Sequence, residues 1–331
     1  MKKQISVSAW TRWSQGLQRK TEAFLTWRKR RKLRKKQKQK RKSAVRDWAE
    51  AILSAVLIVL LINQYLLQAY MIPSPSMVPT LLISDRIFVN KLVYGPELIP
   101  TMAKLSGFRT PRRGEVIIFE SPEYESRGPL MDILQRVIYM ITLSLVDIDR
   151  DELGQQRHHF LIKRAMGMPG DRLRFREGEI QVLVPGASDW LDEEALRRQV
   201  GFEYPTRRLF GASDYERFKL AAQAAVLQNA RLPVSPEMGR ALSRGSLGDE
   251  YHEALWQART EYEINPSSQV YRAVWRKYER GFIVGPDELI PLGDNRDNSR
   301  DGRYFGPVKL AKVLGRGLFK YWPPARIGGI H

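Results

Sequence analysis

From Ala51 to Tyr70 the chain reads AILSAVLIVLLINQYLLQAY, apolar in its first half apart from Ser54 and weakened later by Asn63, Gln64 and Gln68. A run of this length crosses a hydrocarbon core at about 1.5 Å rise per residue, which predicts a transmembrane anchor over residues 48–70. Lys and Arg crowd the preceding segment, TWRKRRKLRKKQKQKRKSAVRDW. The positive-inside rule then makes residues 1–47 a basic cytoplasmic arm and puts everything after Tyr70 outside. A run of like charge reads as a solvated, disordered arm or an interaction tail. A cleavable signal peptide has a shorter apolar region and a small-x-small site, and no such site stands out here.

Past the anchor the period changes. LLISDRIFVNKLVYG reads as a strand with a turn around Ser84-Asp85, and RRGEVIIFESP as a second strand after a glycine turn. PLMDILQRVIYMITLSLV, Pro129 to Val146, has apolar residues at helical spacing (Leu130, Ile133, Leu134, Val137, Ile138, Ile141) interrupted by Asp132 and Arg136. This predicts an amphipathic helical insertion over 128–147, either lying on the outer membrane surface or packing on the domain. FLIKRAMGMPGDRLRF returns to a strand. Between Phe175 and Phe282 the pattern turns helical: a capping box at Ser213–Glu216, an N-cap with N1 proline at Ser235-Pro236, then DEYHEALWQARTEY and SSQVYRAVWRKYER. GFIVGPDELIPLGDN is strand-like again.

Composition narrows the chemistry. The 331 residues include no cysteine, which excludes a thiol nucleophile, thiolate-bound zinc and disulfides. The formal charge of +19 comes from 55 Lys+Arg against 36 Asp+Glu, with much of the excess before residue 48. Nucleic acid could take up such charge. The apolar run directly behind it points instead to anionic lipid headgroups, so no nucleic-acid partner is expected.

Three segments carry candidate chemistry. Ile72-Pro73-Ser74-Pro75-Ser76-Met77-Val78-Pro79 has three prolines, which predict an extended, rigid stretch with the Ser74 and Ser76 side chains on one side. One serine can attack while the other donates to a developing oxyanion. Lys163 ends the apolar strand Phe160–Ile162. An ammonium held among apolar groups loses solvation, so its pKa falls and it can take a proton from serine. Gly293-Asp294-Asn295-Arg296-Asp297-Asn298-Ser299-Arg300-Asp301-Gly302-Arg303 is a turn-rich loop stapled by Asp–Arg pairs. Arg296, Arg300 and the lack of a closing Glu argue against calcium there. Of the histidines, His158 and His159 lie near the lysine strand and read as surface residues. No G-x-S-x-G surrounds Ser76, and Pro79 defeats S-x-x-K.

In this order behind an anchor, PSPSMVPTL, LIKRAMGMPGD and GDNRDNSRDGRYFG resemble the boxes of bacterial type I signal peptidases. That resemblance implies a mainly β, partly barrel-like catalytic core at 71–175 and 282–331, one N-terminal transmembrane helix, and an accessory insertion at 176–281. It implies a membrane-bound serine endopeptidase of the bacterial inner membrane, single-pass, with its catalytic domain on the periplasmic side. Its partners would be the signal peptides of exported preproteins and anionic lipid, with no metal or cofactor. Ser76 would be the nucleophile and Lys163 the general base. The Ser76 N–H and the Ser74 hydroxyl would form the oxyanion hole. Ser299 would orient the lysine, Gly293 would leave room for the lysine side chain, and Asp294, Arg296, Asp301 and Arg303 would brace the loop. Tyr70, Ile72, Met77, Ile87 and Ile162 would line the substrate pockets. Members often carry glycine between the two serines; Pro75 stands there in this chain, which demands a negative φ at that position. A self-cleaving Ser/Lys repressor shares the dyad logic but lacks an anchor, and an inactive anchored scaffold is the alternative from another class.

Overall fold

The computed structural model describes the chain except for residues 1–8, 40–43, 100–102, 143–144, 151–153, 155–156, 158, 202, 246–248 and 331. It divides into two bodies, Met1–Ile58 and Val59–His331. In the first, α1 (Ala9–Gln39) is a continuous helix rather than the irregular arm expected. Lys, Arg, Gln and Leu are good helix formers, and α1 contains no proline to interrupt them. Its Phe24 and Trp27 rings lie 6.0 Å apart, with Arg31 over Trp27.

The second helix, α2 (Ala44–Tyr65), stops short of the expected Tyr70. Asn63 turns its amide back onto the Val59 carbonyl, and Gln64 donates to the Glu97 carbonyl. The following residues leave the helix to pair as a strand. No helix among the described residues is long and apolar enough to cross a membrane. The near-continuous apolar run of α2, Ala51–Ile62, rises roughly 18 Å against about 30 Å of hydrocarbon.

The strands of the second body are β1 (Leu67–Met71), β2 (Arg86–Asn90), β3 (Glu97–Ile99), β4 (Ala103–Lys104), β5 (Val116–Glu120), β6 (Phe160–Gly167), β7 (Arg172–Arg176), β8 (Glu179–Leu183), β9 (Leu191–Asp192), β10 (Phe282–Ile283), β11 (Glu288–Leu292), β12 (Val308–Lys309), β13 (Val313–Trp322) and β14 (Gly328–Gly329). Eight form an antiparallel sheet in the order β1-β2-β13-β5-β6-β11-β12, with β14 on β13. A second sheet runs β10-β7-β8-β9, and β3 pairs with β4.

Val116–Glu120 is buried throughout, which is why its sequence, VIIFE, lacks strict alternation. Val116 and Ile118 pack with Tyr70, Ile72, Met77 and Leu81, while Ile117 and Phe119 pack with Tyr94, Ala165, Leu289 and Val308. Fully burying each such side chain contributes about 1.5–3 kcal/mol. β6 lies alongside, with Lys163 opposite Ile117. Alternation puts Leu161, Lys163 and Ala165 on one face and Ile162 and Arg164 on the other.

After β5 comes α3 (Pro129–Ile141), ending before the expected boundary, with the Thr142 hydroxyl bonded back to the Ile138 carbonyl. Its polar residues Gln135 and Arg136 are buried, whereas Leu130, Ile133, Leu134 and Ile141 are exposed. The stretch 176–281 holds β8 and β9 as well as helices, because Ile180 and Val182 face inward when paired to β7. Its helices are α4 (Glu193–Val200), α5 (Ala212–Asn229), α6 (Pro236–Ser243), α7 (Glu250–Ile264) and α8 (Gln269–Arg280). α5 begins before Ser213, with Asp214 accepting from the Gly211 N–H. Ser235 caps α6 as expected. The short α9 (Gly302–Phe305) closes the 293–303 loop.

Candidate active site

The prolines around Ser76 do not hold it fully extended. Ser74 is extended, at φ −133° and ψ 160°, but Pro75–Met77 turn as one 3-10 segment. The fixed φ of Pro75 suits the first position of such a turn, and the Val78 N–H closes it on the Pro75 carbonyl. The turn still brings the two serines together: the Ser74 hydroxyl donates to Ser76 Oγ at 3.2 Å. Ser76 itself is 8% exposed.

β6 brings Lys163 to the same point. Its Nζ donates to Ser76 Oγ at 2.7 Å, and the side chain is 3% exposed. Burial pulls the amine down from the ordinary lysine range to about 8, against the carboxylates of Asp301 and Asp294, with Arg303 adding to the depression. A serine hydroxyl thus sits against a lysine that can lose its proton near neutrality.

The 293–303 loop packs behind this pair. The Asn295 N–H donates to the Ser76 carbonyl at 3.0 Å, and its side-chain amide donates to the Pro75 carbonyl at 3.1 Å. Asp301 accepts from the Gly293 N–H and pairs with Arg303 at 2.9 Å. Arg303 also donates to the carbonyls of Arg296 and Ser299. The expected Asp–Arg stapling is therefore present at Asp301–Arg303. Asp294 is paired differently: it takes two hydrogen bonds from Arg164, at 2.8 and 2.6 Å, and one from Thr80 at 2.5 Å. Arg164 and Asp294 are both fully buried. Arg296 turns instead to Glu193 of α4, at 2.5 Å.

Ser299 is buried beside Gly293, but its hydroxyl has no hydrogen-bond partner among the described residues. The lysine amine bonds Ser76 rather than Ser299. A β-carbon on Gly293 would collide with Ser299 and with the Ser76 carbonyl oxygen.

Of the residues expected to line substrate pockets, Tyr70, Ile72, Met77 and Ile87 are buried in one apolar cluster, with Ile162 packed against it. Tyr70 and Ile162 also border a small cavity with Tyr139 and Phe160. The cleft open to Ser76 and Lys163, about 470 Å³, is walled instead by residues such as Ser121, Tyr124, Leu161 and Arg300. His159 is not a surface residue. It is 5% exposed and stacked on Tyr124 at 4.0 Å, and burial, aided by Arg136, lowers its pKa to about 4. His158 lies outside the described residues. Among the described residues no group of His, Asp and Glu is placed to hold a metal ion.

Sequence patterns missed Arg164, Thr80 and Glu193. Arg164 adjoins Lys163 and offered a signal, since alternation sends its charge into the opposite face of a covered strand. Glu193 lies too far along the chain for any local pattern to link it to Arg296.

A family model described as signal peptidase, peptidase S26, matches residues 45–322. The chain belongs to this family. As a member it is a serine endopeptidase of the signal peptidase kind, and its mainly β fold is the one expected. It is similar to the probable signal peptidase I-2 of Synechocystis sp., 23% identical over 89% of this chain and 83% of that one. The signal peptidase I of Pseudomonas aeruginosa is 24% identical over 81% of this chain and 66% of its own length. That of Aquifex aeolicus is 25% identical over 81% of this chain and 80% of its own. A crystal structure of a signal peptidase I from Enterococcus faecalis matches at 19% identity, covering 63% of this chain and 97% of that one. Its TM-score of 0.24 is too low for geometric comparison.

Proposed function

We propose that this signal peptidase removes signal peptides from exported preproteins, with Ser76 as nucleophile and Lys163 as general base. The 2.7 Å contact between their side chains, buried and with the amine depressed to about 8, carries this reading. Neutral Lys163 takes the hydroxyl proton as Ser76 Oγ bonds to the scissile carbonyl carbon. The oxyanion accepts from the Ser76 N–H and from the Ser74 hydroxyl, which already reaches Ser76 Oγ. The C–N bond then breaks, Lys163 returns its proton to the leaving amine, and an acyl ester remains on Ser76. Lys163 next takes a proton from water, whose oxygen attacks the ester, and Ser76 regains its hydroxyl as the signal peptide leaves. Ser299, buried at the loop, serves the lysine, and Gly293, Asp294, Arg296, Asp301 and Arg303 keep the loop in place. Tyr70 and Ile162, which border the small cavity with Tyr139 and Phe160, and Ile72, Met77 and Ile87 of the same apolar cluster are the residues assigned to the substrate's side chains.

The same proposal places the chain on the bacterial inner membrane, N-terminus inside and catalytic body outside. Ile52, Leu53, Leu57, Ile58, Leu61 and Ile62 of α2 are exposed, with basic α1 on one flank suited to anionic headgroups. The apolar run of α2 is short for a span, and local bilayer thinning and snorkelling accommodate such a mismatch. The outward apolar face of α3 supports membrane contact outside.

The test is cleavage of a preprotein carrying an Ala-x-Ala site by full-length protein in detergent, compared with Ser76→Ala. Wild type is expected to cut after the second Ala and the variant to leave the substrate whole. Equal cutting by both would remove Ser76 from the mechanism. No cutting by folded wild type would favour an inactive anchored scaffold.

A further inference from the structure

The stretch 176–281 touches the 293–303 loop at successive residues. The Arg207 N–H donates to the Asp294 carbonyl at 2.8 Å, and the Arg296 N–H donates back to the Arg207 carbonyl at 2.9 Å. Arg207 thereby lies along Asn295 as a one-residue parallel bridge. Asp297 accepts from the N–H groups of Leu209 and Phe210, at 2.5 and 3.0 Å, and from the Tyr215 hydroxyl at 2.9 Å. Glu193 takes both Nε and Nη2 of Arg296, which is 1% exposed. Burial alone would raise the Glu193 carboxyl, but Arg296 and Arg197 hold it below the usual carboxylate range. On its other side the loop reaches the reacting groups through Asn295 and Ser76. One residue, Asn295, therefore separates the insertion from the Ser76 backbone.

Nothing in the contacts marks these residues as substrate readers. The residues described as lining the cleft at Ser76 and Lys163 include none from 176–281. Glu193 and Arg296 are spent on one another, and Asp297 on Leu209, Phe210 and Tyr215.

We propose that the insertion is a positioning device: Glu193 and the Arg207–Tyr215 segment press the 293–303 loop against Ser76 and keep water from Lys163. This rests on the Ser76–Lys163 mechanism. Burial dominates the environment of Lys163, and the charged groups acting on it are Asp301, Asp294 and Arg303, all in the loop. A loosened loop admits water to the amine and returns it toward the ordinary lysine range. The device therefore sets both the geometry of Ser76 and the pH at which the base works.

Two variants test this in the full-length enzyme. Glu193→Gln keeps the side chain's shape but removes its charge; Tyr215→Phe keeps the ring but removes the hydroxyl from Asp297. For cleavage of the Ala-x-Ala preprotein, kcat is expected to fall about tenfold in the first and about threefold in the second, with KM within about twofold. In both, the acidic limb of kcat against pH moves to higher pH, a displacement that a smaller folded fraction cannot cause. Val270→Ala on exposed α8 is expected to behave as wild type. Should Glu193→Gln fail to fold, Tyr215→Phe decides alone. Wild-type kcat in the variants, or a lower kcat on an unmoved limb, overturns the positioning role while leaving the Ser76–Lys163 mechanism standing. A wild type that cuts nothing removes both.

Discussion

Gly293 and Ser299 claim the same space: a β-carbon on Gly293 would stand 2.1 Å from Ser299 Oγ. It would also stand 2.5 Å from the Ser76 carbonyl oxygen, which is backbone and cannot swing aside. Gly293→Ala is therefore expected to displace the loop from Ser76 and to lower kcat by about a hundredfold, the scale of an ångström misplacement in a reacting pair. Steady-state cleavage checks this. A kcat within about twofold of wild type would show that the loop yields without moving Ser76.

On the proposed mechanism the lysine sets the working pH. There only neutral Lys163 would accept the serine proton, so kcat/KM should rise tenfold per pH unit on the acid side and level off above about 8. Stability follows the same shift. Between about 8 and the ordinary lysine value the folded chain has released this proton while the unfolded chain keeps it, so Lys163 makes stability rise with pH across that window. A limb centred near the ordinary lysine range would contradict a buried base. Proton uptake measured through the unfolding transition at pH 9 is a second check.

Arg303→Ala leaves the fully buried Asp301 without its ion-pair partner. Burial by itself raises the Asp301 carboxyl, and Arg303 is the largest of the influences that hold it below the usual range. With the pair intact, its contribution to stability is present above the unfolded carboxylate pKa and lost as pH falls through the folded one. The variant is expected to lose about 3–5 kcal/mol at neutral pH, seen as a lower melting temperature. Protonating Asp301 removes the uncompensated charge, so the deficit should shrink in acid. A deficit independent of pH would mean that Arg303 stabilises by packing alone.

The sequence was most informative where a local constraint acts. β5 and β6 are legible because a covered strand must be apolar, and the turn at Gly293–Arg303 because its residues are turn formers and charges. The end of α2 was not legible: Leu67–Met71 is as apolar as a helix continuation, and only its pairing with β2 makes it a strand. The basic arm misled in the opposite way, since charge density suggests irregularity while the same residues favour helix. In the site, the placement of Ser76 beside Lys163 followed from the three segments taken together. The partner of Arg296 did not, because nothing near residue 193 distinguishes Glu193 from the other acidic residues that open a helix. His159 was hidden for a similar reason: its burial is created by Tyr124 and Arg136, which arrive from other elements.

β13 lies between β2 and β5 in the sheet, and Asn295 reaches Pro75 across 220 residues of chain. A chain still being synthesised therefore carries Ser76 and Lys163 long before it has the strand that joins their two halves of the sheet. Pairings of such sequence separation form late, because loop closure must precede the contacts that reward it. A nascent chain lacking residues 293–322 thus has both side chains but neither β13 nor the loop behind Ser76, and only the packing of Met77 and Leu81 on Val116 and Ile118 joins the two halves. The topology works as a delay: the full seating of Ser76 beside Lys163 waits until residues 293–322 have been made.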